Sequence, residues 1–119
     1  MDEFDELLLK IIDRTLRDIL GDDNALIIYN HLERNSCSMC EIPAKLDLFS
    51  AQLRNMLGVG RGQILGAPAI LEDVVVKTLS SKLGLELETK SMVFNYRIRK
   101  LKESYDNGRR KHSRGPQSK

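Results

Sequence analysis

Cys37 and Cys40, in the stretch NSCSMCEIP, are the two cysteines of the chain. Their spacing suits thiolate ligation of a metal or a redox dithiol. A structural zinc takes a tetrahedron of ligands, and besides this pair the chain has His31, ahead of it, and His112 in the basic C-terminal stretch. A closed site within one chain is therefore not expected. Two copies could pool their thiolates, so a dimer bridged by zinc through Cys37 and Cys40 is the metal alternative. A redox pair belongs at a helix start in a βαβ setting, where the dipole lowers the thiol pKa. Here the pair follows a helical pattern and precedes Glu41-Ile42-Pro43. No cofactor is expected, and the plainest reading is of small loop side chains packed beneath the neighbouring helices.

A second stretch, MLGVGRGQILGAP, alternates Gly58, Gly60 and Gly62. A dinucleotide fingerprint needs GxGxxG after a strand and a P-loop needs GK[ST]; neither is present. LRNMLGVGRGQIL resembles the helix-hairpin-helix motif of DNA-binding proteins. That resemblance implies Leu57, Gly58, Val59 and Gly60 in the turn, Gly60, Arg61 and Gly62 near a phosphate, and Leu53 and Ile64 in the packing. Exposed N–H groups at a helix start bind anions, and glycine lets a phosphate approach. Gly66, Ala67 and Pro68 depart from the motif by interrupting the second helix. The alternative is an interhelical turn whose glycines serve backbone geometry.

Charge is unevenly placed. The net charge of +2 divides into 10 Lys/Arg against 15 Asp/Glu over residues 1–96, and 9 against 2 over residues 97–119. A basic end of this kind neutralises phosphates with salt-sensitive, sequence-independent affinity. Its candidates for nucleic-acid contact are Arg97, Arg99, Lys100, Lys102, Arg109, Arg110, Lys111 and Arg114. Tyr96, Tyr105 and His112 are too sparse among them for a stacking platform. The bland alternatives are a solvated tail, or one that pairs with the acidic first helix of another copy.

Catalysis finds little support. Asp22, Asp23, Asp47, Glu72 and Asp73 fall near helix starts, where capping and dipole effects account for acids. With His31 and His112 as the histidines, no nucleophile, base and orienting group can be assembled. The expectation is a protein that is not an enzyme. The longest apolar stretches, such as ILGAPAIL, are too short to cross a membrane, and the first residues MDEFDE are acidic where a secretory signal is basic. Two cysteines make no disulfide framework. A cytoplasmic protein is expected.

The elements that must position these residues are helical. Phe4, Leu7, Leu8, Ile11, Ile12, Thr15, Leu16, Ile19 and Leu20 recur at helical spacing, and Gly21 supplies a stop. A second helix reaches to about Arg34, capped by Asp22 or Asp23, with Leu26, Tyr29 and Leu32 inward. Asp47 is the expected cap of a third, with Phe49, Leu53, Met56 and Leu57 inward, and a fourth runs from about Pro68 to Leu83 with Ile70, Leu71, Val74, Val75, Thr78 and Leu79 on its stripe. Residues 85–98 alternate as a short hairpin would, while Phe94, Ile98, Leu101 and Tyr105 match a helical stripe; a helix from about Ser91 is preferred. From Asp106 onward the composition is that of a disordered tail.

ALIIYNHLE, Glu41-Ile42-Pro43, FSAQLRNMLGVG and VVVKTLSSKLGLELE together resemble a group of small archaeal helical domains of uncharacterised function, found alone or as output modules of signal-transduction proteins. The resemblance covers about residues 5–90 and leaves out RGQILGAP, the cysteine loop and the basic tail. It implies an all-helical regulatory or interaction module with no catalytic residues to carry over. The chain is therefore expected to be all-α: a compact bundle or array of four to five helices over residues 1–105, followed by a disordered basic tail over residues 106–119. Its expected partners are DNA or RNA at the basic segment, and a protein or a second copy at the helical core. No membrane is expected.

Overall fold

The computed structural model describes residues 2–57, 67–87, 91 and 93–114, with residues 67 and 109–114 described by their backbone. In chain order the helices are α1 (Glu3–Leu20), α2 (Asp22–Arg34), a 3-10 helix (Met39–Ala44), α3 (Leu46–Leu57), α4 (Ala67–Leu83) and α5 (Phe94–Arg114). No strand occurs among the described residues, so the fold is all-α.

Asp2 caps α1, its carboxylate accepting the Asp5 N–H at 2.8 Å, and Glu3, Asp5 and Glu6 stand at the positive end of the dipole. Phe4, Leu8, Ile11, Ile12, Thr15 and Leu16 form its buried stripe. Gly21 alone separates α1 from α2, with φ at +92°, a conformation that L side chains rarely adopt. Glycine there lets α2 fold straight back along α1, and the Tyr29 hydroxyl donates to Asp13 at 2.7 Å across the seam.

Two inward faces differ from expectation. α2 buries Ala25, Ile28 and Leu32, leaving Leu26 at 51% exposure and Tyr29 half-buried. The run Leu26-Ile27-Ile28 supports more than one stripe, and the phase that wins puts small Ala25 against its neighbours. On α4, Leu71, Val75, Val76 and Leu79 are buried while Ile70 is 55% exposed. α3 starts two residues earlier than expected, placing Asp47 in its first turn rather than at the cap.

Residues 94–98 are helical, so the hairpin alternative is not formed. Phe94, Ile98 and Leu101 are buried on α5, and Tyr105 packs beside them. The α5 backbone stays helical through Arg114, into the segment whose composition reads as disordered, while residues 115–119 lie outside those described.

α1 packs against α2, α4 and the 3-10 helix, and α3 packs against α2, α4 and α5. Phe49 meets Phe94 with ring centroids 6.2 Å apart, and Phe4 meets Tyr105 at 5.6 Å. Complete burial of a side chain such as Phe4 is worth about 2 kcal/mol. This apolar packing sets no register by itself. The seams also carry directional bonds: His31 Nε2 to Gln52 Oε1 at 2.6 Å between α2 and α3, Arg54 to Glu72 between α3 and α4, Arg97 to Asp73 between α5 and α4, and Lys102 to Asp5 between α5 and α1.

Candidate nucleic-acid interface

α5 is a single helix of 21 residues, about 31 Å at 1.5 Å per residue. It brings all eight basic candidates onto one element, but they do not stand alike. Arg97 is turned into the core, its side chain 9% exposed, and donates to Asp73 Oδ1 at 2.8 Å. Hydrogen bonds from Arg97 and then Lys77 hold the Asp73 carboxyl below its usual range. This arginine is a structural tie and presents no guanidinium to a phosphate.

Lys102 is also engaged. Its ammonium lies 3.2 Å from both Asp2 and Asp5 and 5.8 Å from the centre of the Phe4 ring. Partial burial alone would lower its pKa, but the bonds it donates to Asp5 and Asp2 outweigh that and leave it raised. One turn on, the Tyr105 hydroxyl donates to Glu3 at 3.0 Å. Lys100 approaches Glu103 at 3.6 Å on the surface, a contact of little energetic weight.

Arg99 is exposed and has no hydrogen bond or ion pair to any described residue. Arg109, Arg110, Lys111 and Arg114 follow on the same helix, beyond Tyr105, the last of the described side chains of α5 that packs on the core. The eight candidates thus divide into Arg97 and Lys102, which bind α5 to the body, and the remainder. Of the acids that engage them, Asp73 was legible only as a helix-start residue, and Asp2 and Asp5 only as part of the acidic stretch MDEFDE.

Glu72 departs furthest from its sequence reading. It is 3% exposed, not a solvated acid of the first turn. Arg54 grips it with two bonds, 2.8 Å to Oε2 and 3.0 Å to Oε1, and the Ser50 hydroxyl also donates to it. With every oxygen bonded, it is a clamp between α3 and α4 rather than a poised base.

The two cysteines do not stand alike. Cys37 is fully buried and Cys40 exposed on the 3-10 helix. Burial pushes the Cys37 thiol up, away from the thiolate a metal needs. A zinc shared between two copies would require Cys37 to leave the core. Among the described residues, no cluster of three or more His, Cys, Asp or Glu could hold a metal. Gly60, Arg61 and Gly62 of the hairpin-like alternative lie outside the described residues. Among those described, no helix is long and apolar enough to cross a membrane.

No protein-family model, curated protein or solved structure matches this chain.

Proposed function

We propose that this chain is a small non-enzymatic regulatory module, in which a helical core presents α5 as a basic arm for nucleic acid. The observation that carries the reading is the continuity of α5. The same helix that is locked to the body by Arg97, Lys102 and its apolar stripe runs on to Arg114, carrying the cationic residues with it. Ordered spacing of cations lowers the entropy lost when phosphates are engaged. The resemblance to signal-transduction output modules agrees with a role in regulation.

Leaving aside Lys100, which leans on Glu103, and counting Arg99 with Arg109, Arg110, Lys111 and Arg114 gives five phosphate contacts. The expected slope of log affinity against log salt is then about −4.5 on duplex and about −3.5 on single strands. Binding of the full chain to labelled duplex and single-stranded DNA and RNA, followed by fluorescence anisotropy over a salt series, measures it. On duplex, affinity should fall by roughly 500-fold between 50 and 200 mM salt. A full-length variant with Arg109, Arg110, Lys111 and Arg114 changed to Gln should bind weakly with a slope near −1. Absence of binding at low salt, or binding unaffected by that variant, overturns the proposal. Cutting the chain at Tyr96 would be a poor test, because Ile98 and Leu101 would be lost from the core.

A further inference from the structure

A cavity of about 280 Å³ opens where the N-terminal part of α1, the junction of the 3-10 helix with α3, and the middle of α5 meet. Phe4, Leu8, Leu46 and Ile98 give it an apolar wall. Several of its charged and polar neighbours are already engaged: Lys45 with Glu41 and the Ser36 carbonyl, Lys102 with Asp5. Three are not. Arg99, Asp47 and Asn95 line the cavity without a hydrogen bond or ion pair to any described residue.

At the helix seams, cations and carboxylates are matched to one another; around this cavity one guanidinium, one carboxylate and one amide stand unmatched beside apolar side chains. Convergent polar groups over apolar surface are the mark of a small-ligand site. The volume equals that of about nine waters at roughly 30 Å³ each, below the range that drug-sized ligands fill. The unmatched charges are one of each sign, so the complementary ligand is a small zwitterion with an apolar body. A phosphate ester would set two or more negative charges beside Asp47, and a neutral apolar molecule would desolvate Arg99 and Asp47 without pairing them.

We propose that this cavity binds a free α-amino acid with an aliphatic or aromatic side chain. Its carboxylate pairs with Arg99, its ammonium with Asp47, Asn95 bonds to either group, and its side chain lies against Phe4, Leu8, Leu46 and Ile98. A peptide terminus offers only one of the two charges. The inference shares Arg99 with the nucleic-acid reading, but Asp47 and Asn95 take no part in that.

The test is titration of the full chain with L-leucine and L-phenylalanine, by calorimetry and by amide NMR. N-acetyl-L-leucine and L-leucinamide serve as arms that each delete one charge. Saturable binding is expected with a dissociation constant between about 10 µM and about 1 mM, with the largest shifts at residues 44–47 and 95–99. Deleting the ammonium should weaken binding by about tenfold or more. Asp47→Asn should weaken leucine binding by a similar factor but leave N-acetyl-L-leucine nearly unaffected, and Arg99→Gln should do the same relative to L-leucinamide. Both positions are exposed, so the variants should fold. No saturation by about 20 mM of either amino acid, equal binding of the charge-deleted arms, or indifference to both substitutions overturns the proposal. Each outcome is independent of whether α5 binds nucleic acid, which the salt series reads separately.

Discussion

Removing one partner of the α3–α4 clamp should cost far more than removing the other. Glu72 is 3% exposed and Arg54 is 51% exposed, although they share two hydrogen bonds. Arg54→Met leaves the carboxylate buried with the Ser50 hydroxyl as its remaining donor. Breaking a buried pair this way typically costs about 3–5 kcal/mol. The half-exposed position of Arg54 admits some water to the vacated site, so about 2–3 kcal/mol is expected. Glu72→Gln keeps the volume, and Arg54 can turn to solvent, so about 1 kcal/mol is expected. At about 3–6 °C per kcal/mol for a chain of this size, Tm should fall by about 6–18 °C in the first variant and about 3–6 °C in the second. Urea unfolding followed by far-UV circular dichroism, with a common m-value, measures both. The double variant Arg54→Met with Glu72→Leu should recover most of the loss, because apolar replacement of both charges removes the desolvation penalty. The reasoning is refuted if Glu72→Gln costs as much as Arg54→Met, or if the double variant is the least stable of the three.

Other consequences can be checked directly. In the native protein a maleimide should label Cys40 rapidly and spare Cys37, with both reacting once the chain is unfolded, since only Cys40 is exposed; mass spectrometry counts the adducts. Asp73 has its pKa depressed by Arg97 and Lys77, so its contribution is present above the unfolded carboxyl pKa near 3.8 and is lost as pH falls through the folded value. Asp73→Asn should therefore flatten the acid limb of stability below about pH 4, read by urea midpoints across pH. Ser36 holds a φ of +67° outside glycine, and Ser36→Gly should stabilise by about 0.5–1 kcal/mol because left-handed backbone costs a residue with a Cβ roughly that much.

The helices were legible because their signals are local. Asp2, Gly21 and Gly84 punctuate the chain, and Phe4, Leu8, Ile11 and Leu16 repeat at helical spacing. The phase of α2 was not legible, because Leu26, Ile27 and Ile28 are equally apolar and only packing against α1 chooses among them. Glu72 and Arg97 failed for a different reason. An acid in a first turn and an arginine in a basic run each have a sufficient local explanation. Their actual partners lie 18 and 24 residues away. The extent of α5 was obscured by Gly108 and the polar composition around it, which argue for a coil when the segment is judged alone. The cavity was hidden because Asp47, Asn95 and Arg99 come from two helices and acquire meaning only once Phe4 and Leu8 of a third stand behind them.

The bonds from α5 back to the first turn of α1 bear on the order in which the molecule assembles. Tyr105 reaches Glu3 across 102 residues of chain, and Lys102 reaches Asp5 across 97. α1 and α2 meet through the single residue Gly21 and can pair as soon as both exist, whereas the face of α1 that carries Phe4 waits for almost the whole domain. Long-range closures of this kind come late, since the loop must be ordered before the contact repays it. On a ribosome making about 5–20 residues per second, that face stays uncovered for several seconds, attended only by the acids Asp2, Glu3, Asp5 and Glu6. The arrival of α5 then turns Asp2, Glu3 and Asp5 into its docking point.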